Sequence, residues 1–183
     1  MKFIETKLKG LYLIEPEPFR DFRGYFGRIY CKNELDVINN DIEIVQINRS
    51  LTKKKGTIRG MHFQYPPKAE IKIISCFSGS VFDVAIDLRR GSPTFLHWHA
   101  EQLSSENMKM IYIPKGFAHG FQALEDNCEL LYLHSEFYSK EHESGIRFND
   151  KKVNIKWPLE ITEISERDNH HQLIDENFTG IVV

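Results

Sequence analysis

The strongest constraint on the fold is a period of two. Val45-Gln46-Ile47-Asn48-Arg49-Ser50 alternates apolar and polar residues, which puts Gln46, Asn48 and Ser50 on one face of a strand. Lys72 to Phe77 and Val81 to Leu88 are strand-like runs separated by Ser78-Gly79-Ser80, the signature of a hairpin turn. That hairpin groups Lys72, Ile74 and Cys76 on one face and Asp83, Ala85 and Asp87 on another, and it brings Lys72 and Asp83 within pairing distance. Glu129 to Tyr138 is a further strand, with Leu130, Tyr132 and His134 sharing a face. Met110 to Leu124 reads as strand, Pro114-Lys115-Gly116 turn and strand, with His119 and Phe121 pointing one way and Ala118 and Gly120 the other. These runs predict an all-β barrel core over about 45–138. Polar inward faces suit a small barrel that holds a ligand, so Gln46, Asn48 and Ser50 are expected to face the interior.

Outside the core the signals are shorter. Phe3 to Glu15 reads as two strands joined at Lys9-Gly10. Asp21-Phe22-Arg23-Gly24-Tyr25-Phe26 is a turn feeding a strand, and its Arg and aromatics suit either an anionic planar ligand or packing on a neighbouring subunit. Asn33 to Ile38 is the best short helix, with Asn33 as its expected N-cap. Near the end, Ser165 caps an expected helical turn that leaves Asp168 available to orient a histidine.

A length of 183 residues suits one domain, here 1–183 with the N-terminal strands and C-terminal tail packed around the barrel. A net charge of -2 argues against nucleic acid as a partner. The three cysteines show no metal spacing and their odd count makes a poor disulfide framework, so reduced thiols in a cytoplasmic protein are expected. Neither a signal-like apolar segment nor a membrane span is expected.

Chemistry concentrates between Gly56 and Lys72, which holds the base candidate His62 and the cations Arg59 and Lys72. Gly56 to His62 resembles the opening of the first cupin motif, G-x5-H-x-H-x3,4-E, and Pro114-Lys115-Gly116-Phe117-Ala118-His119 matches the second, P-x-G-x2-H. Gln64 stands where the second metal-binding histidine belongs, and Glu70 comes late. A neutral amide in that place weakens a transition-metal site, so a metal-type barrel adapted to metal-free chemistry is expected. His97-Trp98-His99 with Glu101 is a second string of metal-ligand types, read as an exposed histidine-rich strand.

In order, these pieces resemble the dTDP-4-dehydrorhamnose 3,5-epimerase family, cupin-type jelly-roll barrels. The carriers include Asp21-x-Arg23-Gly24-x-Phe26, Gln46-x-Asn48-x-Ser50, Arg59-Gly60-Met61-His62-Phe63-Gln64, Lys72, Asp83-x-x-x-Asp87-Leu88-Arg89, Ser92-x-Thr94-Phe95, Tyr132, Tyr138 and Trp157-Pro158. The resemblance implies a cofactor-free epimerase of a nucleotide-diphospho-4-keto-6-deoxy sugar, serving deoxysugar biosynthesis for surface polysaccharide. By it, His62 is the catalytic base, Asp168 its orienting carboxylate, Tyr132 the acid on the opposite sugar face and Lys72 the cation facing the C4 oxygen. Arg59, Gln46, Asn48 and His119 line the sugar and diphosphate site, with Tyr138 and Asp83 among the substrate-binding residues. Arg23 and Phe26 reach into the pocket of a neighbouring subunit, in a homodimer with an exchanged N-terminal segment. Arg28, near the nucleotide, stands where the family usually has Glu, which leaves GDP- or CDP-linked hexoses or heptoses open beside dTDP. Glu70 likewise replaces a usual Gln. Alternatives are inversion at C3 or C5 alone, a cupin 3,4-ketoisomerase, a metal dioxygenase, or a non-catalytic sugar-nucleotide binding cupin.

Overall fold

A computed structural model describes residues 1–39 and 41–183. The chain opens with an antiparallel pair, β1 (Lys2–Glu5) and β2 (Tyr12–Glu15), followed by a small hairpin of β3 (Phe19–Asp21) and β4 (Gly24–Phe26) and one helical turn, α1 (Lys32–Leu35). The core strands are β5 (Gln46–Thr52), β6 (Ile58–Gln64), β7 (Lys72–Ser78), β8 (Ser80–Asp87), β9 (Trp98–Ser104), β10 (Met110–Ile113), β11 (Phe117–Ala123) and β12 (Cys128–His134). A short strand β13 (Glu143–Gly145) and the helical turn α2 (Glu166–Asn169) belong to the tail. A six-stranded sheet in the order β1-β2-β10-β7-β12-β5 faces a five-stranded sheet in the order β13-β6-β11-β8-β9.

The expected hairpin does not form. Gly79, at a φ of +72°, turns the chain from β7 into β8, but β7 pairs with β10 and β12 while β8 pairs with β11 and β9 in the other sheet. Both strands are buried along nearly their whole length. Each therefore needs a partner strand on both sides and a packed layer on both faces, which a sheet-crossing corner supplies and a local hairpin does not. The Lys72–Asp83 pair is lost with it: Lys72 pairs with Glu70 at 3.1 Å and Asp83 with His119 at 2.8 Å.

Three apolar layers follow from the alternation. Ile74, Cys76, Ile111 and Leu130 of the six-stranded sheet meet Val81, Ala85 and Phe121 of the other sheet in the central layer. Outside the five-stranded sheet, the tail lays Val153, Ile155, Trp157 and Ile181 over Met61, Val84, Ile86 and Ala118. Outside the six-stranded sheet, Leu35 and Ile42 cover Ile14, Ile71, Ile73 and Leu133. That cover explains a shift at the helix: α1 starts after Cys31, which makes no side-chain cap, and not at Asn33. Burial of Leu35 fixes the turn, so packing decides its start where capping chemistry was expected to. Capping chemistry holds at α2, where the Ser165 hydroxyl accepts from the Asp168 amide at 3.1 Å.

β6 and β11 approach closely at a pair of glycines. A Cβ on Gly60, whose φ is +126°, would lie 2.5 Å from the Gly120 Cα and 2.9 Å from the His119 carbonyl oxygen. The approach sets the register in which His62 stands opposite His119. Gly60→Ala is therefore expected to cost about 3 kcal/mol in urea unfolding. Gly91→Ala, at a φ of +73° with open space around it, serves as control and is expected to cost about 1 kcal/mol.

Candidate active site

A cavity of about 1140 Å³ lies between the sheets. Alternation aims the polar inner face of each strand into it. Gln46, Asn48 and Ser50 come from β5, His62 and Gln64 from β6, and Tyr132 and His134 from β12, while Arg59, three residues before His62, joins them because the register of β6 on β11 shifts between the two. Lys72 and His119 add to the lining from β7 and β11, and the tail closes one side with Ser165, Arg167 and Asp168. His62 and Tyr132 thus project from opposite sheets.

The His62 side is built on a buried carboxylate. Asp168 sits at the middle of α2, and its Oδ1 is 2.8 Å from His62 Nε2 while Oδ2 accepts from the Gly60 amide at 3.1 Å. Burial alone would raise its pKa, but the hydrogen bond and charge of His62, with the Gly60 and Ser165 contacts, hold it well below the usual carboxylate range. Arg167 lies beside the pair, with Nη2 3.0 Å from His62 Nε2 and Nη1 3.0 Å from Glu143. With Nε2 engaged, Nδ1 is the ring nitrogen left to take a substrate proton.

On the opposite wall, the Tyr132 hydroxyl is 3.3 Å from Ser50 Oγ. Its ring meets His119 edge-on and stacks on His134. Burial raises the Tyr132 pKa well above that of free tyrosine, so the phenol holds its proton through neutral and alkaline pH. Between the two walls, Lys72 Nζ donates to the His62 carbonyl at 3.3 Å. Glu70 bridges Lys72 at 3.1 Å and His134 Nδ1 at 2.6 Å. Burial opposes ionisation of Glu70, yet the His134 hydrogen bond and the Lys72 charge outweigh it and its pKa falls below the ordinary value.

Gln64 is no vacant ligand. Its amide nitrogen donates to the carbonyls of Lys68 and Phe137 at 2.9 and 3.3 Å, and its oxygen accepts from the Ser139 amide at 2.6 Å, so it anchors two loops. In the other string of ligand types, His97 is exposed and His99 stays 4.0 Å from a Glu101 that Lys109 holds at 3.0 Å.

The whole chain carries the signature of one family. Residues 5–176 match the family model described as dTDP-4-dehydrorhamnose 3,5-epimerase. The chain belongs to the dTDP-4-dehydrorhamnose 3,5-epimerase family. It is 42% identical over 181 residues to the enzyme of that name from Methanothermobacter thermautotrophicus, covering 96% of each chain. Among solved structures, the Bacillus anthracis dTDP-4-dehydrorhamnose 3,5-epimerase with TDP and pyrophosphate bound superposes with a TM-score of 0.91 at 41% identity, covering 94% of this chain and 99% of that one. The Legionella pneumophila dTDP-6-deoxy-D-glucose-3,5-epimerase in complex with dTDP-4-keto-L-rhamnose gives 0.92 at 35% identity, covering 100% and 98%. The fold is accordingly the all-β, cupin-type barrel of these epimerases.

Against the family pattern, the cavity gathers His62, Tyr132, Asp168, Lys72, Arg59, Gln46, Asn48, His119 and Tyr138. Asp83 is a correction: it is fully buried behind His119, bonded to Nε2 at 2.8 Å, and makes no part of the cavity wall. Arg23, Phe26 and Arg28 lie outside the cavity of their own chain. Arg23 pairs with Asp21 at 2.6 Å, Arg28 pairs with Glu34, and Phe26 is 82% exposed. Residues that sequence reasoning left without a role are Arg167, Glu143 and His134. Arg167 precedes Asp168 on the same helical turn, and His134 follows Tyr132 by one strand period, so both were within reach of spacing; the position of Glu143 follows only from the pairing of β13 with β6.

A depressed carboxylate stabilises the fold fully above its unfolded pKa of about 3.9 and loses that contribution as pH falls toward the folded value. Wild type should therefore exceed Asp168→Asn in unfolding free energy at pH 5, and the gap should shrink steadily as denaturation is repeated at pH 4, 3 and 2.

Proposed function

We propose that the chain inverts carbons 3 and 5 of a dTDP-linked 4-keto-6-deoxyhexose, without a cofactor, through enolates. The observation that carries this is the placement of an imidazole and a phenol on opposite walls of one cavity, with an ammonium group between them. Carbons 3 and 5 flank the C4 ketone, so loss of either proton gives an enolate, and return of a proton from the other face inverts the centre. His62 takes the proton on one side, with Asp168 fixing its tautomer and ring orientation. The Lys72 ammonium stabilises the enolate oxygen. Tyr132 then delivers its own proton to the far face of the carbon. Each inversion leaves His62 with one proton more and Tyr132 with one fewer, and exchange with solvent through the open cavity restores both. A ketoisomerase also begins with an enolate, but it must then take the proton of the C3 hydroxyl and protonate C4, whereas an imidazole and a phenol on opposite walls suit removal and return of a proton at one and the same carbon.

The diphosphate falls to Arg59, Gln46 and Asn48, with His119 held toward the sugar by Asp83. Arg59 is already oriented by Thr52 Oγ1 at 2.9 Å and the Leu51 carbonyl at 3.1 Å. We place Arg23 and Phe26 at the nucleotide end of a partner chain's cavity, in a homodimer that exchanges the β3–β4 hairpin. Support comes from apolar surface that an isolated chain would leave in water: Phe22 is 97% exposed, and Ile47 and Phe77 on the outer face of the six-stranded sheet are 61% and 50% exposed. Each copy then acts as one catalytic unit of 1–183. The relatives solved with TDP and with dTDP-4-keto-L-rhamnose favour thymidine as the base.

Turnover of dTDP-, GDP- and CDP-linked 4-keto-6-deoxy sugars by the purified protein tests the reading. The dTDP sugar should turn over fastest. His62→Ala should lose at least about 10³-fold in kcat, and Lys72→Met about 10²–10³-fold with a smaller change in KM. No turnover of any member by a folded protein that still binds dTDP would leave a binding module in its place.

A further inference from the structure

Behind the proposed base lies a donor that the epimerase chemistry does not use. His171 follows α2 by two residues, and its Nε2 is buried and lacks a hydrogen-bond partner among the described residues. Leaving such an atom unsatisfied is costly. That atom lies 3.8 Å from Asp168 Oδ1, the same oxygen that holds His62 Nε2 at 2.8 Å, and the two imidazole rings meet edge to face with centroids 5.6 Å apart. Room for the second ring exists because residue 145 is a glycine: a Cβ there would collide with the His171 imidazole. His62, Asp168 and His171 thus bring three ligand atoms within 4.8 Å of one another.

From this we infer that His62, Asp168 and His171 form an inhibitory binding site for a divalent cation of the zinc class. Two imidazole nitrogens and one carboxylate oxygen are a donor set such a cation prefers. Tetrahedral bonds of about 2.0–2.1 Å ask for ligand atoms roughly 3.3 Å apart; the two spacings to Asp168 Oδ1, 2.8 and 3.8 Å, need shifts of about half an ångström, and the two imidazole nitrogens, within 4.8 Å of each other, close by at most about 1.5 Å through rotation of the His171 ring. The carboxylate is already ionised in character by its partners and the ligands sit on packed elements, which limits the ordering cost. One charge opposes the ion. Arg167 lies 3.0 Å from His62 Nε2 and 3.3 Å from Asp168 Oδ1, but its side chain is half exposed, so it can swing into solvent as the ion enters, giving up its surface ion pair with Glu143.

The fourth coordination position is left to water or to substrate. Binding would replace the hydrogen bond through which Asp168 orients His62, and a metal-bound imidazole is a poor proton acceptor. The ion therefore switches the enzyme off without taking any part in its chemistry. The site shares His62 with the first cupin motif but takes its other two ligands from the C-terminal tail, while the motif's second-histidine position is held by the loop-anchoring Gln64.

Titration calorimetry with ZnCl₂ on the full chain, beside turnover assays with and without EDTA, tests the inference. Wild type should bind one Zn²⁺ per chain, lose turnover as the site fills and regain it with EDTA. His171→Ala should keep its turnover in EDTA but bind and respond to Zn²⁺ at least tenfold more weakly, whereas His170→Ala, on the exposed side of the turn, should match wild type. Gly145→Ala, which displaces the His171 ring, should repeat the loss of affinity and covers the case in which His171→Ala does not fold. Equal Zn²⁺ affinity in wild type and both variants would overturn the inference, as would full turnover by wild type saturated with Zn²⁺. Calorimetry needs no substrate, so a wrong choice of sugar nucleotide leaves the binding result intact.

Discussion

A carboxylate exposed by only 2% is tolerable in a protein interior when its charge and lone pairs are all engaged, and Asp168 meets that condition by joining three parts of the chain. One oxygen takes the Gly60 amide at the point where β6 and β11 come closest, the other takes His62, and its own amide closes the Ser165 cap. Removing any one of these leaves the rest of the arrangement uncompensated. The tail is thereby tied to the barrel wall by the same contact that orients the proposed base. In the proposed mechanism stability and catalysis share one interaction, and its pH dependence has the sign of a depressed acid.

The two-sheet architecture explains why this interaction is useful. Strands of opposite sheets face each other across the cavity, so an acid and a base on different sheets address opposite faces of whatever lies between them. The Glu70–Lys72–His134 cluster lies at the cavity wall, and its charges partly neutralise one another there. An isolated ammonium would be costly to bury there, and the Glu70 carboxylate 3.1 Å away gives Lys72 a counter-charge. Its hydrogen bond to the His62 carbonyl ties the Lys72 side chain to the strand that carries the proposed base.

Much of this was legible in the sequence because strand alternation is local. The shared inward faces of Gln46, Asn48 and Ser50, of His119 and Phe121, and of Leu130, Tyr132 and His134 follow from a period of two. The Ser165 cap is equally local, since it needs only four consecutive residues. What failed was non-local. The turn at Gly79 gives the same local signal whether the strands it joins pair with each other or enter opposite sheets. The start of α1 depends on the burial of Leu35 against strands far away in sequence. Asp83 carried a family signature, but its position behind His119 emerges only from the register of β8 on β11. Asp87 is similar: with Arg89, Ser92 and Thr94 it forms a buried loop network, with contacts of 2.6–2.9 Å, so that part of the signature marks architecture and not chemistry.

The account stands on a base and an acid acting on opposite faces of one carbon, and separating the two is its most direct test. Tyr132→Phe in deuterated buffer, followed by proton NMR with the dTDP-linked 4-keto-6-deoxy sugar, removes the acid and leaves His62 in place. The account predicts loss of the signals at positions 3 and 5 as deuterium is returned to the original face, with inverted product falling at least about 10²-fold. Inversion by Tyr132→Phe at the wild-type rate would contradict it.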